Sequence, residues 1–166
     1  MKTLWLLRHA KSSWADATLT DHDRPLKPRG IRAAAKMGAL LAEQSPFPEL
    51  ICCSTAVRAV QTWHVAAEAI TARRSLPEAV YRDDLYHASV SQLRSIVSGL
   101  PNERSTVLLI GHNPGFEDFV AAITGGAIEI PTAALLKLQL AGAEWHLFAT
   151  TQTVGLIDLW RPRERD

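Results

Sequence analysis

Two stretches, Thr3–Leu7 and Thr106–Ile110, are apolar or β-branched at every position. A strand with one wet face alternates polar and apolar side chains, so a strand without alternation has to be covered on both faces. Strands of that kind belong to parallel sheets lying between two layers of helices. Leu50–Cys53 is a third short apolar run. The chain between these runs carries helical spacing. Ile31, Ala34, Ala35, Gly38 and Leu41 fall on one face at three- and four-residue steps, and Pro46 and Pro48 stop the chain beyond them. Ser54 is placed to cap a helix over 55–72. Ser89 to Gly99 reads as a short helix ended by Gly99 and Pro101, and Phe116 to Ile123 as another. Ala79–Tyr81, Ala134–Leu140 and Thr153–Trp160 complete the strands, with irregular chain between the last two. The expected architecture is α/β: a three-layer α/β/α sandwich with a mostly parallel central sheet, forming a single domain over residues 1–166.

Composition removes several functions. The formal net charge is +1 and the charges are mixed along the chain, so no basic field exists to hold nucleic acid. No apolar run approaches the ~20 residues that cross a bilayer, and Leu4–Leu7 is too short for a signal-peptide core. A cytoplasmic protein with no membrane partner is expected. Cys52 and Cys53 are adjacent, and neighbours on a strand point to opposite faces, so both are expected as reduced, packed thiols. His22, His64, His87 and His146 lack ligand-like spacing, so neither a metal nor another cofactor is expected. Trp63, Trp145 and Trp160 read as core or edge aromatics, whereas Trp14 follows the first strand closely enough to line a pocket entrance.

The polar residues that end the strands carry the chemistry. Arg8-His9 follows the first strand, Ser54-Thr55-Ala56-Val57-Arg58-Ala59-Val60-Gln61-Thr62 the second, and Gly111-His112 the Thr106–Ile110 strand. A parallel sheet binds ligands beyond the carboxyl ends of its strands. It would therefore gather Arg8, Arg58, His9 and His112 at one edge. Paired arginines clamp oxyanions through forked hydrogen bonds. Histidine, with a reference pKa of about 6.5, is largely unprotonated at neutral pH and needs no separate base to act as a nucleophile. Each segment alone has an ordinary explanation, such as a strand-end histidine, a solvated arginine or a strand-to-helix turn. All three together, each after a strand, point to phosphoryl transfer.

These motifs resemble the histidine phosphatase superfamily, which includes the cofactor-dependent phosphoglycerate mutases, and within it the SixA-type phosphohistidine phosphatases. Leu6-Leu7-Arg8-His9-Ala10-Lys11-Ser12-Ser13-Trp14 is similar to L-x-R-H-G-x-S-x-W, with Ala10 in place of the glycine. Ser54 to Thr62 matches S-x-x-x-R-A-x-Q-T at every fixed position, and Leu108 to Gly115 carries the G-H-N-P-G of the SixA-type branch. Arg24-Pro25-Leu26 and Gly30 match that branch ahead of the first helix. The resemblance implies a phosphoglycerate mutase-like fold. It makes His9 the phosphorylated nucleophile, Arg8, Arg58 and His112 the phosphate pocket, and Ser12 and the Asn113 backbone further phosphate contacts. Ala15 stands where the mutases have an asparagine.

The general acid has no direct match. Tyr81 to His87 lacks the glutamate that follows the third strand in mutases, so Asp21, in the loop after the nucleophile, is the expected acid. Asp83 and Asp84 are the alternatives, and Asp21 and Asp23 could instead pair with Arg24 and Arg29 or cap the first helix. The implied activity is a metal-independent phosphatase acting on a phosphorylated protein side chain, with phosphohistidine favoured. A phosphatase for a small phosphomonoester is the second reading, and a non-catalytic phosphate-binding module the third.

Overall fold

The computed structural model describes residues 1–150 and 154–162. The strands are β1 (Lys2–Arg8), β2 (Leu50–Ser54), β3 (Glu78–Arg82), β4 (Thr106–Gly111), β5 (Leu135–Leu140) and β6 (Gly155–Trp160), in the sheet order β3-β2-β4-β1-β5-β6. β1, β2, β3 and β4 run parallel, and β5 is antiparallel to both β1 and β6. The helices are α1 (Pro28–Ala42), α2 (Val57–Thr71), α3 (Val90–Ser98), α4 (Gly115–Thr124) and α5 (His146–Thr150).

The uniformly apolar strands are buried on both sides. Leu4 and Leu6 pack into a core with α3, α4 and α5, while Trp5 and Leu7 pack into a second core with α1 and α2. Cys52 and Cys53 divide the same way and are both free. Trp145 and Trp63 are core residues, and Trp160 stacks on Trp5 with ring centroids 5.7 Å apart. Each fully buried large side chain contributes about 1.5–3 kcal/mol.

The local signals explain most boundaries. Pro28 opens α1 at a position where its missing N–H costs nothing. Ser89 caps α3 in a reciprocal capping box with Gln92. Gly38 lets α1 approach α2, since a Cβ there would stand 2.4 Å from the Ala66 carbonyl oxygen.

Three expectations are corrected. Ser54 does not cap α2; it is the last residue of β2, and the helix starts at Val57 with Ala56 at its cap. Ile31 lies off the buried face of α1, 45% exposed, because Gly30 occupies the inward position instead. The chain between β5 and β6 includes the short helix α5, whose Phe148 is fully buried. Thr153, expected to begin the last strand, lies outside the described residues.

Candidate active site

β1 and β4 are neighbours, with Arg8 paired opposite Gly111. Their carboxyl ends therefore deliver Arg8, His9 and His112 side by side. β2 lies on the other side of β4, and the first turn of α2 carries Arg58. The four expected residues come together: Arg58 Nε lies 3.4 Å from His9 Nε2, and the His9 and His112 rings are 5.1 Å apart. His9, Arg58 and His112 are buried.

The His9 tautomer follows from its neighbour. Nδ1 lies 2.8 Å from the Ala10 carbonyl oxygen, which can only accept, so Nδ1 carries the proton. Nε2 keeps its lone pair and faces Arg58. Burial, followed by repulsion from Arg58, Arg8 and Arg24, pushes the His9 pKa down to about 3 despite the Ala10 bond. Burial, His9 and Arg58 push His112 down to about 2. Both rings are neutral at pH 7.

The fixed residues of the α2 motif each have a partner. Ser54 Oγ lies 2.7 Å from His112 Nε2 and holds that ring. Ala59 is fully buried against the core. Gln61 accepts from the Leu26 backbone N–H at 2.8 Å, tying down the Arg24-Pro25-Leu26 segment. Thr62 accepts from the Ala10 N–H at 2.9 Å and donates to the Arg58 carbonyl at 2.7 Å, locking α2 to the nucleophile loop. Gly30 lets that loop pass, because a Cβ would stand 2.2 Å from the Lys11 carbonyl oxygen. Arg8 NH1 donates to the Ile130 carbonyl at 3.0 Å, while Arg8 Nε and His112 Nδ1 are buried with no partner among the described residues.

Asp21 sits at the rim as an acceptor. Its carboxylate takes the Tyr86 hydroxyl at 2.6 Å, Arg58 NH2 at 3.0 Å and Arg24 Nε at 3.1 Å. Burial raises its pKa, but Tyr86, Arg58 and Arg24 outweigh burial and hold it well below the usual carboxylate range. In the free site Asp21 has no proton to give at neutral pH, which departs from the acid role expected of it. Its pairing with Arg24 meets the other expectation for this residue. Of the alternative acids, Asp84 is bound by Arg82 at 2.7 Å, and Asp83 accepts from Thr55 at 2.7 Å.

Ser12 is buried and accepts from Arg24 NH1 at 2.7 Å. The Asn113 side chain donates to Glu117 and to the Ile130 carbonyl, bracing the loop beside Arg8. Trp14 is exposed and lies over the Arg24 guanidinium at 3.5 Å. Motif spacing gives no sign of three residues that the fold brings to the rim: His22, Tyr86 and His87. The His22 ring meets Tyr86 edge-on at 4.8 Å, and His87 stacks on Tyr86 at 4.1 Å. Among the described residues no group of three or more His, Cys, Asp or Glu is arranged to hold a metal ion, and no helix is long and apolar enough to cross a membrane.

A buried imidazole with an unprotonated Nε2 therefore lies beside Arg58 at the carboxyl ends of the parallel strands. The family model described as histidine phosphatase superfamily (branch 1) matches residues 4–86, and the chain belongs to that superfamily. An uncharacterised protein of Mycobacterium tuberculosis is 34% identical over 148 residues, covering 82% of this chain and 88% of that one. Two solved structures of candidate SixA phosphohistidine phosphatases share the fold. The Nakamurella multipartitia protein has a TM-score of 0.82 at 28% identity, over 97% of this chain and 96% of that chain. The Agrobacterium tumefaciens protein has a TM-score of 0.80 at 30% identity, over 97% and 98%. The chain is a SixA-type phosphatase with a phosphoglycerate mutase-like sandwich.

Proposed function

We propose that the protein hydrolyses a phosphorylated side chain, phosphohistidine by preference, through a phosphoryl group carried on His9 Nε2. The observation that carries this reading is the fixed His9 tautomer, which points an unprotonated nitrogen at Arg58. In this mechanism Arg8, Arg58 and His112 hold the equatorial oxygens as charge redistributes during transfer. Ser12 and the Asn113 backbone add contacts to the same oxygens. Asp21 acts as a carboxylate that aims Arg58 and Arg24 at the phosphoryl group. Water then releases phosphate from His9. No metal takes part, so chelator leaves the rate unchanged.

A phosphohistidine peptide and p-nitrophenyl phosphate, compared in rapid-quench turnover, test the substrate. Higher kcat/KM on the peptide supports the preferred reading. Higher kcat/KM on small phosphomonoesters favours the second, and binding without turnover of either leaves a phosphate-binding module.

A further inference from the structure

Beside the phosphate pocket lies a groove of about 510 Å³, lined by His87, Ala88, Ser89, Asn113, Pro114 and Asp118 among others. Of its two titratable residues, His87 also faces the phosphate pocket. Its ring contacts His112 at 5.5 Å, and its Nε2 lies 3.3 Å from Arg58 NH2 and 3.4 Å from Asp21 Oδ2. We propose that the leaving group sits in this groove and that His87 gives it the proton it needs to depart. This rests on the phosphatase reading and assigns the step that reading leaves open.

Three observations carry the assignment. First, a guanidinium can only donate and a carboxylate can only accept. His87 Nε2 therefore has a partner in either protonation state: Arg58 when it is bare, Asp21 when it bears a proton. Second, the side chain is half exposed, 54%, so it can exchange protons with water. Third, His87 is held at φ 50°, a left-handed conformation for a residue with a Cβ. Such conformations are disfavoured for a residue with a Cβ and persist where the surroundings impose them. Here the stack on Tyr86, itself bonded to Asp21, fixes the ring. The groups facing His87 are Asp21, Arg58, Tyr86 and His112.

In the first half-reaction His9 Nε2 bonds to phosphorus as the bond from phosphorus to the leaving atom breaks. The electron pair leaves on that atom, which takes the proton from protonated His87. Water then attacks phosphorus and gives its proton to neutral His87, while the phosphorus–nitrogen pair returns to His9. The groove suits a leaving group without a second anion, since its lining includes an acidic Asp118 but no arginine or lysine among the described residues.

The test is a series of aryl phosphates of graded leaving-group acidity, run on the wild-type enzyme, His87→Gln and Asp21→Asn. A general acid contributes about 10²–10⁴-fold, and most where the leaving group is poorest. His87→Gln should slow phenyl phosphate about 10²-fold more than dinitrophenyl phosphate, steepening the dependence of kcat/KM on leaving-group pKa. Asp21→Asn should slow the whole series, with any steepening smaller than in His87→Gln, because the asparagine carbonyl can still accept from protonated His87. An unchanged slope in His87→Gln, or a steepened slope in Asp21→Asn alone, overturns the assignment. Phosphoenzyme trapped from the wild type in parallel separates the two readings. Its absence takes down the His9 mechanism and this step with it, while its presence with an unchanged slope takes down only the role of His87.

Discussion

Arg8, His9 and His112 reach the pocket from the ends of buried strands, whereas Asp21, Tyr86 and His87 reach it from short turns on either side. The backbone of the floor belongs to the hydrogen-bonded sheet. Arg8 and His9 follow strand positions whose side chains are essentially inaccessible, and Thr62 ties the loop down. The rim has no such backing. Asp21 and Tyr86 are 65 residues apart in sequence and meet only through side chains. In the proposed mechanism the floor residues act on the phosphoryl group, common to every substrate, while the rim residues govern what varies, the leaving group and the aim of the arginines.

That division is open to attack on both sides. Arg58, buried in the first turn of α2, lies against His9 and counts with the floor; Arg58→Gln should cost about 10²–10³-fold in kcat, the typical loss for one transition-state donor, by a similar factor on every substrate. A loss confined to poor leaving groups, read from steady-state kinetics, would move Arg58 to the rim.

The buried floor also predicts a stability change. His9 and His112 titrate near 3 and 2 in the folded chain, below the imidazole reference of about 6.5. Below that reference the unfolded chain binds protons that the folded chain refuses, so stability present above it is lost as pH falls. The urea midpoint should fall from about pH 7.5 to about pH 5, a window above most carboxylate titration. His9→Asn should flatten part of the fall. Equal midpoints at the two values would mean the floor imidazoles are not held neutral.

Asp21→Asn tests the rim through its aim. It leaves Arg58 and Arg24 without their carboxylate, and a loss of about tenfold is expected, matching ~1.4 kcal/mol. Ser54→Ala should have the smallest effect. It removes the hydrogen bond that orients His112, worth about 1 kcal/mol, and should lower kcat roughly fivefold with little change in KM.

The contrast between floor and rim also decides what could be read in the sequence. The floor was legible because uniformly apolar runs announce buried parallel strands, and the residues at their carboxyl ends must meet at one edge. β1, β2 and β4 lie within about a residue of their expected bounds. Ser54 stands where a serine before a helix looks like a cap, yet it bonds to His112, 58 positions away, and that leaves no local trace. Ile31 fitted the helical period, yet Gly30 packs inward because the Lys11 backbone comes too close for a side chain. His87 and His22 lack ligand spacing and so carried no signal. Their positions depend on turns at Asp21–Asp23 and Asp83–Leu85 that bring distant segments together.

Trapping the phosphoenzyme tests the central claim most directly. Enzyme mixed with phosphorus-labelled p-nitrophenyl phosphate and quenched within milliseconds should carry label that is stable in base and lost in acid, as a phosphorus–nitrogen bond requires. Peptide mapping should place it on His9, and His9→Ala should carry none. Label on a serine or an aspartate, or label that survives His9→Ala, would contradict the account.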